Sequence, residues 1–525
     1  MLCNSKKMLS YLLSIVVFAF LFYWKFVKPL NYWNERGVPN VKGFPVFGKQ
    51  AAIVFRKINI IEWMKRTYKE CPGTRYHGSH QFNRPVLVIK DPSLIKQIMV
   101  KDFGNFVNRI DVITKDMDPL LGNSLVFLHN QEWKTMRSTL SAAFTGSKMK
   151  EMTDLMLQLS HNFFKYLSKN GKSRFAVDMK DLSTRYTNDI IASCAYGIEC
   201  NSLKDKSNDI YKLGKQISFD NVRVLKIFGF NIMPKLMKMM NINVLPKSAY
   251  AKFSSIIKES LAARESGNII RPDMIQLLMM AKKGNLKYEE SIKDDDTGFA
   301  TVQEHYTEGR KMLTDNDIVA QALVFFLAGF EPVSTIISFM ALELALNPDI
   351  QEKLYEEIER FGDIDYNKII SMRYLDMVVS ETLRKWPSAP VLHRTCTVPF
   401  VLKAERPDES DLCIGVGDGV IIPIIGIQND EKYFPNPERF DPERFSDENK
   451  DKVDKYTYLT FGTGPRNCIG SRFALLEIKM FFAVALKYFR IEAIEKTPST
   501  LKLSPKEFPM KPIGGFWVGF SIRNS

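Results

Sequence analysis

The sequence predicts a mainly α protein with a minor β component, carried behind an N-terminal transmembrane helix. Three observations support that class. Helix-type apolar periodicity dominates from Pro92 to Pro246 and returns from Thr314 to Lys385. Runs with strand character are few and short: Arg84 to Ile89, Leu501 to Leu503, and Phe516 to Ile522. At the N-terminus, Met8 to Trp24 is uncharged and nearly all apolar.

Seventeen residues, Met8 to Trp24, is the short end for a bilayer span, and Phe26 and Val27 extend it past a snorkelling Lys25 to about twenty. A cleaved signal peptide is the competing reading. Bulky Trp24, Phe26 and Trp33 stand where a small-residue cleavage site should be, which favours an uncleaved anchor. Lys6 and Lys7 precede the run, whereas Lys25, Lys28, Arg36, Lys42 and Lys49 follow it, so the body is expected in the cytosol. Gly37-Val-Pro39, Gly43-Phe-Pro45 and Gly48 then predict a stiff, irregular hinge. The expected division is anchor 1–28, hinge 29–50 and body 51–525.

Within the body, Ala51 to about Cys71 reads as a helix stopped by Pro72-Gly73, and Arg84 to Ile89 as a strand of a small sheet. Arg223 to Pro246 interleaves Phe228, Phe230, Met233, Met239 and Met240 with lysines. Such a basic, Met-rich amphipathic stretch suits a membrane surface or a helix packed on the core. Lys282 to Asp317 is charged and reads as an exposed connector. Thr314 with Asp317 resembles a capping box opening a long helix that ends near Asn347-Pro348. Helices are expected again over Asp349 to Phe361, Arg373 to Lys385 and Ile469 to Leu486.

Composition excludes several classes. The 525 residues are 45% hydrophobic and 25% charged, ordinary for a folded globular protein, although length alone suggests two to four domains. The net charge of +14 is spread along the chain without an Arg-rich arm or zinc-finger spacing. It suits an acidic protein partner or an anionic membrane better than nucleic acid. The seven cysteines are scattered, with no CxxC, which implies reduced thiols. The six histidines form no HExxH, so a protein-ligated zinc or non-haem iron site is not expected.

The chemistry-bearing segment is Phe461-Gly-Thr-Gly-Pro-Arg-Asn-Cys-Ile-Gly470. Its glycines allow a tight loop around the Cys468 sulfur, and the following helix start favours a thiolate over a thiol. Arg466 adds a cation for an acidic ligand group. A buried structural cysteine is the bland alternative for a lone Cys, but it does not account for the whole string. Trp133 and Arg137 share a helix face at i,i+4, which suits a carboxylate. Glu381 with Arg384 forms an i,i+3 pair, and so does Glu357 with Arg360, expected to be solvated. Gly329 and Pro332 weaken one turn of the long helix, by about 1 and about 3 kcal/mol, and predict a functional distortion. Pro332 also leaves the Ala328 carbonyl without its helical donor. A water held there, with Glu331 and Thr335, would make a proton relay, Ser334 pointing away.

The pattern of Phe461, Gly464, Arg466, Cys468 and Gly470 resembles the haem-binding loop of the cytochrome P450 haem-thiolate monooxygenases. The resemblance runs nearly the whole chain and implies one large helix-rich catalytic domain over 51–525. It implies haem b with Cys468 as axial ligand and Phe461 against the cofactor. Trp133, Arg137, Arg466, Arg394 and Arg109 would hold propionates. Glu381, Arg384 and Arg444 (in Pro442-Glu-Arg-Phe445) would form a buried charge network. The family usually has Thr where this chain has Pro332. Val324, Leu327, Ala328, Val391, Leu392 and Phe508 would line the substrate pocket, and the 223–246 region would roof it at the membrane. Phe144-Thr-Gly-Ser-Lys148 and Arg271-Pro-Asp-Met-Ile-Gln-Leu-Leu278 are similar to the insect branch of the clan that holds vertebrate 3A-type drug oxidisers.

The implied activity inserts one atom of O2 into a lipophilic small molecule, such as a plant toxin, an insecticide or an endogenous lipid or hormone. Electrons would come from NADPH through NADPH–cytochrome P450 reductase, with cytochrome b5 as a second donor. The implied site of action is the endoplasmic reticulum membrane, with the lipid bilayer and no nucleic acid as partner. The alternatives are a reductase-independent isomerase or dehydratase of lipid peroxides, and a non-catalytic membrane-anchored haem sensor.

Overall fold

The computed structural model describes residues 2–111, 113–218, 224–240, 242–267, 269–284, 298–302, 311–507 and 510–523. The anchor helix α1 (Leu2–Phe22) continues as tighter and wider turns to Asn31; its apolar residues from Met8 to Trp24 are exposed, and only toward the end of the stretch, at Leu30, does the protein cover it. An apolar helix with nothing packed on it needs a non-aqueous environment, so this segment suits a membrane anchor.

The following residues are no free linker. Trp33 is fully buried and donates its indole N–H to the Ser79 carbonyl at 2.8 Å. It lies so close to β1 (Tyr76–Gln81) that a side chain at Gly78 would overlap its ring. Tyr32 donates to Asp418 at 2.5 Å, and Asn40 and Gly48 bridge to Gly78 and Gln81. The Pro- and Gly-rich segment is irregular because it follows a sheet edge.

That edge belongs to a four-stranded sheet in the order β1-β2-β7-β4, with β2 Arg84–Ile89, β4 Leu392–Thr395 and β7 Gly419–Ile422. The β2–β7 pair is parallel and the others are antiparallel, with Arg394 opposite Val420. β3 (Arg174–Asp178), β8 (Phe489–Glu492) and β9 (Trp517–Ile522) form a second sheet, and β5 (Phe400–Leu402) with β6 (Leu412–Ile414) a third. The expected strand at Leu501 to Leu503 is absent; Leu503 makes only an isolated bridge to Pro512. The helix expected over 51–71 is broken. Arg56 adopts φ 52°, and a new helix, Ile60–Lys69, starts where the Asn59 side chain accepts from the Glu62 N–H.

The helical body surrounds α5 (Asp315–Leu346), which is capped as expected: Thr314 Oγ1 accepts from the Asp317 N–H, and the Asp317 carboxylate accepts from the Thr314 N–H. At 1.5 Å per residue it spans about 48 Å. It is as long and apolar as the anchor, but 83% of its most apolar eighteen-residue stretch is buried, so it is the central core helix. Around it stand α2 (Asn130–Ser141), α3 (Gly146–Asn170), α4 (Met179–Tyr196), α6 (Pro348–Phe361), α7 (Arg373–Lys385) and α8 (Ser471–Tyr488). The α4 helix lies along α5, and α8 packs on α3, α6 and α7.

One region has the amphipathic character expected of it, and one differs from the sequence expectation. The 224–246 stretch has two faces: Phe230 and Met237 are buried while Met233, Met239 and Met240 are exposed, and Phe228 stacks on Phe47 at 5.2 Å. Part of the charged connector is not exposed: Gly298 and Ala300 are buried against the body, although Asp294 to Thr297 fall outside the described residues.

Candidate active site

The cysteine loop is held from both ends. Gly462 and Gly464 adopt φ 75° and 73°, and a Cβ at Gly464 would overlap the Met99 carbonyl oxygen, so only glycine closes this turn. The Cys468 N–H donates to the Phe461 carbonyl at 2.8 Å. Cys468 is exposed although Arg466 and Asn467 beside it are each 4% exposed. The residues leading into the loop are stapled to α7. Tyr458 donates to the Ser380 carbonyl, the Leu459 N–H to the Gln428 side chain, and Thr460 to the Leu383 carbonyl.

The same helix holds a closed charge network. Arg384 grips Glu381 with two bonds of 2.7 and 2.9 Å, both residues being fully buried. Its remaining N–H groups donate to the carbonyls of Gln428 and Pro437 at 2.7 Å. Glu381 also accepts from the Asp441 N–H at 3.0 Å, and Arg444 lies 3.5 Å away. Burial pushes the Glu381 carboxyl up against the downward pull of Arg384. The look-alike Glu357 is not a solvated partner of Arg360. Its carboxylate accepts from the N–H groups of Tyr374 and Leu375 at 2.8 Å and so caps α7.

On the other side of the loop four arginines converge. Arg137 donates to the Asn467 carbonyl and side chain at 2.9 and 2.7 Å. Arg466 lies 4.5 Å over the buried Trp133 ring and donates to the carbonyls of Val126 and Leu128. Arg394 donates to the His393 carbonyl, and the chain at Asn108 and Arg109 runs beside β4 through Thr395. The buried Nε atoms of Arg394 and Arg466 have no acceptor among the described residues. Burial, with Arg109, Arg394 and Arg137 adding like charge, pushes the Arg466 guanidinium down to about 7; burial and Arg109 push Arg394 down to about 9. Burial also lowers Arg109, which the Cys468 sulfur partly offsets. The cluster is electrostatically complete only with an anion. His393, which sequence reasoning missed, is its neutral neighbour. Burial and the surrounding arginines push it down to about 3, and its Nδ1 accepts from the Ile110 N–H.

Across from the loop stands α5. Phe144 lies between them, 5.3 Å from the Phe325 ring and 3.8 Å from where Gly470 would carry a Cβ. On this otherwise buried helix Ala328 is exposed and Pro332 half-buried. Val324, 7% exposed, shares their face at i,i+4 from Ala328, and Leu327, 3% exposed, is the next position, about 100° round the helix. The helix runs on through Pro332 without a break. Tertiary packing against α4 holds the turn that loses a donor.

Glu331 and Thr335 are brought together, but on the α4 side. Lys180 Nζ lies 2.6 Å from Glu331 and 2.8 Å from both the Thr335 and Ser334 hydroxyls. Ser334 therefore does not point away; three residues from Glu331, it is about 60° off the same face. Ser218 lies 3.2 Å from the second Glu331 oxygen. Val391 and His393 line a cleft of about 230 Å³ with Trp63, Phe82, Phe228 and Ile421. Leu392 approaches Gly462 to 3.6 Å of a built Cβ. Phe508 falls outside the described residues, though Lys506 and Glu507 line the same cleft.

An exposed thiol in a glycine loop, beside buried arginines that need an anion and opposite an open helix face, suits an anionic metal macrocycle. Comparison with known proteins agrees. The cytochrome P450 family model matches residues 39–517. The chain is 41% identical to "Cytochrome P450 9e2" of Blattella germanica, covering 94% of both chains. It is 38% identical to "Probable cytochrome P450 9f2" of Drosophila melanogaster (94% and 95% covered). It is also 35% identical to "Cytochrome P450 6k1" of Blattella germanica (99% and 97%). The chain belongs to the cytochrome P450 family. It is a haem-thiolate monooxygenase, which uses haem, O2 and electrons passed from NADPH by a redox partner such as a reductase.

Proposed function

We propose that Cys468 is the axial thiolate ligand of haem b and that the enzyme inserts one oxygen atom into lipophilic xenobiotics, plant toxins and insecticides among them, or into endogenous lipids or hormones. The observation that carries this reading is the exposed Cys468 beside buried Arg394 and Arg466, whose Nε atoms have no acceptor among the described residues. Arg109, Arg137, Arg394 and Arg466, with the Trp133 indole, would hold the propionates, and Phe461 would rest against the macrocycle. Bound haem supplies the oxygen chemistry; the chain's own residues bind, orient and move protons.

The proton route runs through the α4–α5 seam. Lys180 holds Glu331, and the Thr335 and Ser334 hydroxyls donate to the Glu331 carbonyl at 2.9 Å. From there Glu331 would pass protons to water at the Ala328 carbonyl, which Pro332 leaves without its helical donor. In Thr335→Val, product formed per NADPH should fall; an unchanged ratio removes Thr335 from the route. Val324, Ala328, Val391 and Leu392 would contact substrate. Apolar contacts of this kind discriminate by about 1–3 kcal/mol per methylene, which suits a broad substrate range.

Residues 1–28 would anchor the protein in the endoplasmic reticulum bilayer, with 29–50 docked on the sheet and 51–525 forming the cytosolic catalytic domain. NADPH–cytochrome P450 reductase and cytochrome b5 would be the electron donors. Pro332 on the open face, where the family usually places a hydroxyl, favours one second reading: a reductase-independent isomerase or dehydratase of lipid peroxides. The test is a reduced carbon-monoxide difference spectrum, then a substrate-binding screen and product assays with and without NADPH. A thiolate-type band and NADPH-dependent product are expected. Product without NADPH would establish the second reading, and no product in either condition a sensor.

A further inference from the structure

Phe299, half-buried between the buried Gly298 and Ala300, lies far in sequence from the cysteine loop yet packs beside its lead-in. The Phe299 ring sits 4.8 Å from Phe445 and 5.2 Å from Tyr458, which are 5.4 Å from each other, closing a three-ring cluster. Phe445 follows Arg444 of the charge network. Tyr458 donates to the carbonyl of Ser380, the residue before Glu381, and stands three residues before Phe461. One carboxylate fixes the arrangement: Asp376 of α7 accepts from the Phe299 N–H at 2.8 Å and pairs with Lys479 of α8 at 2.9 Å. Gly298 adopts φ 132°, and a Cβ there would overlap the Asp376 side chain. This is a fitted contact between three elements, two of which bracket Cys468.

We propose that Phe299 is a positioning residue for Cys468, acting through Tyr458 on the chain that enters the cysteine loop. This rests on Cys468 being the haem ligand. Removing the ring takes from the Tyr458 side chain one of its two ring neighbours, leaving Phe445 and the 3.1 Å bond to Ser380; the lead-in, still tied at Asp454, Leu459 and Thr460, then loosens at its Tyr458 end and the thiolate can leave its place. A ring that only staples the connector would instead change global stability and leave ligation alone.

The test measures the lifetime of the thiolate-type ferrous-carbonyl band during mild warming of the full-length, haem-loaded protein, with helix content followed in parallel by circular dichroism. In Phe299→Ala the band should convert to the thiol type roughly tenfold faster, the scale of losing two ring contacts, before any helix is lost. Phe299→Leu should lie between Phe299→Ala and the parent; it also serves as the readout if Phe299→Ala retains no pigment. Tyr458→Phe, which keeps the ring and removes the hydroxyl, should speed conversion too, and less than additively with Phe299→Leu. A parental band lifetime in the Phe299 variants, or band loss coincident with helix loss, would overturn the inference alone. A parent with no thiolate-type band would overturn the Cys468 assignment, and this inference with it.

Discussion

The two charged regions flanking the cysteine loop are built on opposite principles. Around Glu381 both guanidiniums lie against a carboxylate: Arg384 donates to it and to two carbonyls, and Arg444 pairs with it at 3.5 Å, although the Arg444 Nε makes no hydrogen bond among the described residues. Around Arg466 guanidiniums gather, and the buried Nε atoms of Arg394 and Arg466 find no acceptor among the described residues. The first region pairs its cations with a carboxylate of the chain and so acts as a lock. In the second, Arg394 and Arg466 meet no carboxylate among the described residues, and a bound anion would remove the cost of that buried positive charge. Both are buried and arginine-rich, so burial and residue type do not tell lock from site; the charge balance does.

The sharpest separation of the two is Cys468→Ser. The thiolate-type band and turnover should vanish completely, while the pigment-free protein keeps its unfolding free energy to within about 0.5 kcal/mol, because the lock is untouched. Glu381→Ala should do the reverse, stranding a buried Arg384 at about 3–5 kcal/mol, read by urea unfolding, with little haem-loaded protein recovered. A mild kinetic defect with normal stability would show that the lock is dispensable.

Arg394→Gln should weaken haem binding by roughly ten- to a hundredfold, the scale of one hydrogen bond to a charged group. The pigment-free protein should become slightly more stable, since a repelling charge is gone. Equal loss of stability with and without haem would make the arginine cluster structural and end the distinction. The smallest effect is at His393. Its folded value is pushed down from 6.5 to about 3, so between those values only the unfolded chain takes up the proton. Its contribution is therefore present above pH 6.5 and is lost as pH falls toward 3. His393→Asn should reduce the pH slope of stability in that window by about one proton, measured by urea midpoints across the range.

Legibility followed sequence distance. The capping box of Thr314 and Asp317, the strand Arg84–Ile89 and the helix Arg373–Lys385 stand where local pattern placed them, because each is settled by neighbours within a few residues. The helix break before Ile60 was missed because apolar periodicity does not register one residue with positive φ. Glu357 was misread because its partners are the N–H groups of Tyr374 and Leu375, at the start of another helix. The relay face was partly legible: spacing joined Glu331 to Thr335, but Lys180, on a different helix, has no signature near either.

From its residues alone this chain declares an exposed apolar anchor, a helix-rich body and a ten-residue loop shaped around one sulfur, since periodicity, hydropathy and backbone freedom are carried by adjacent positions. Folding alone settles which arginines remain without a counter-charge, which face of the central helix opens beside the thiol, and that Phe299 comes to rest on Tyr458. Those outcomes depend on side chains meeting from distant segments, and burial makes each meeting, or its absence, energetically decisive.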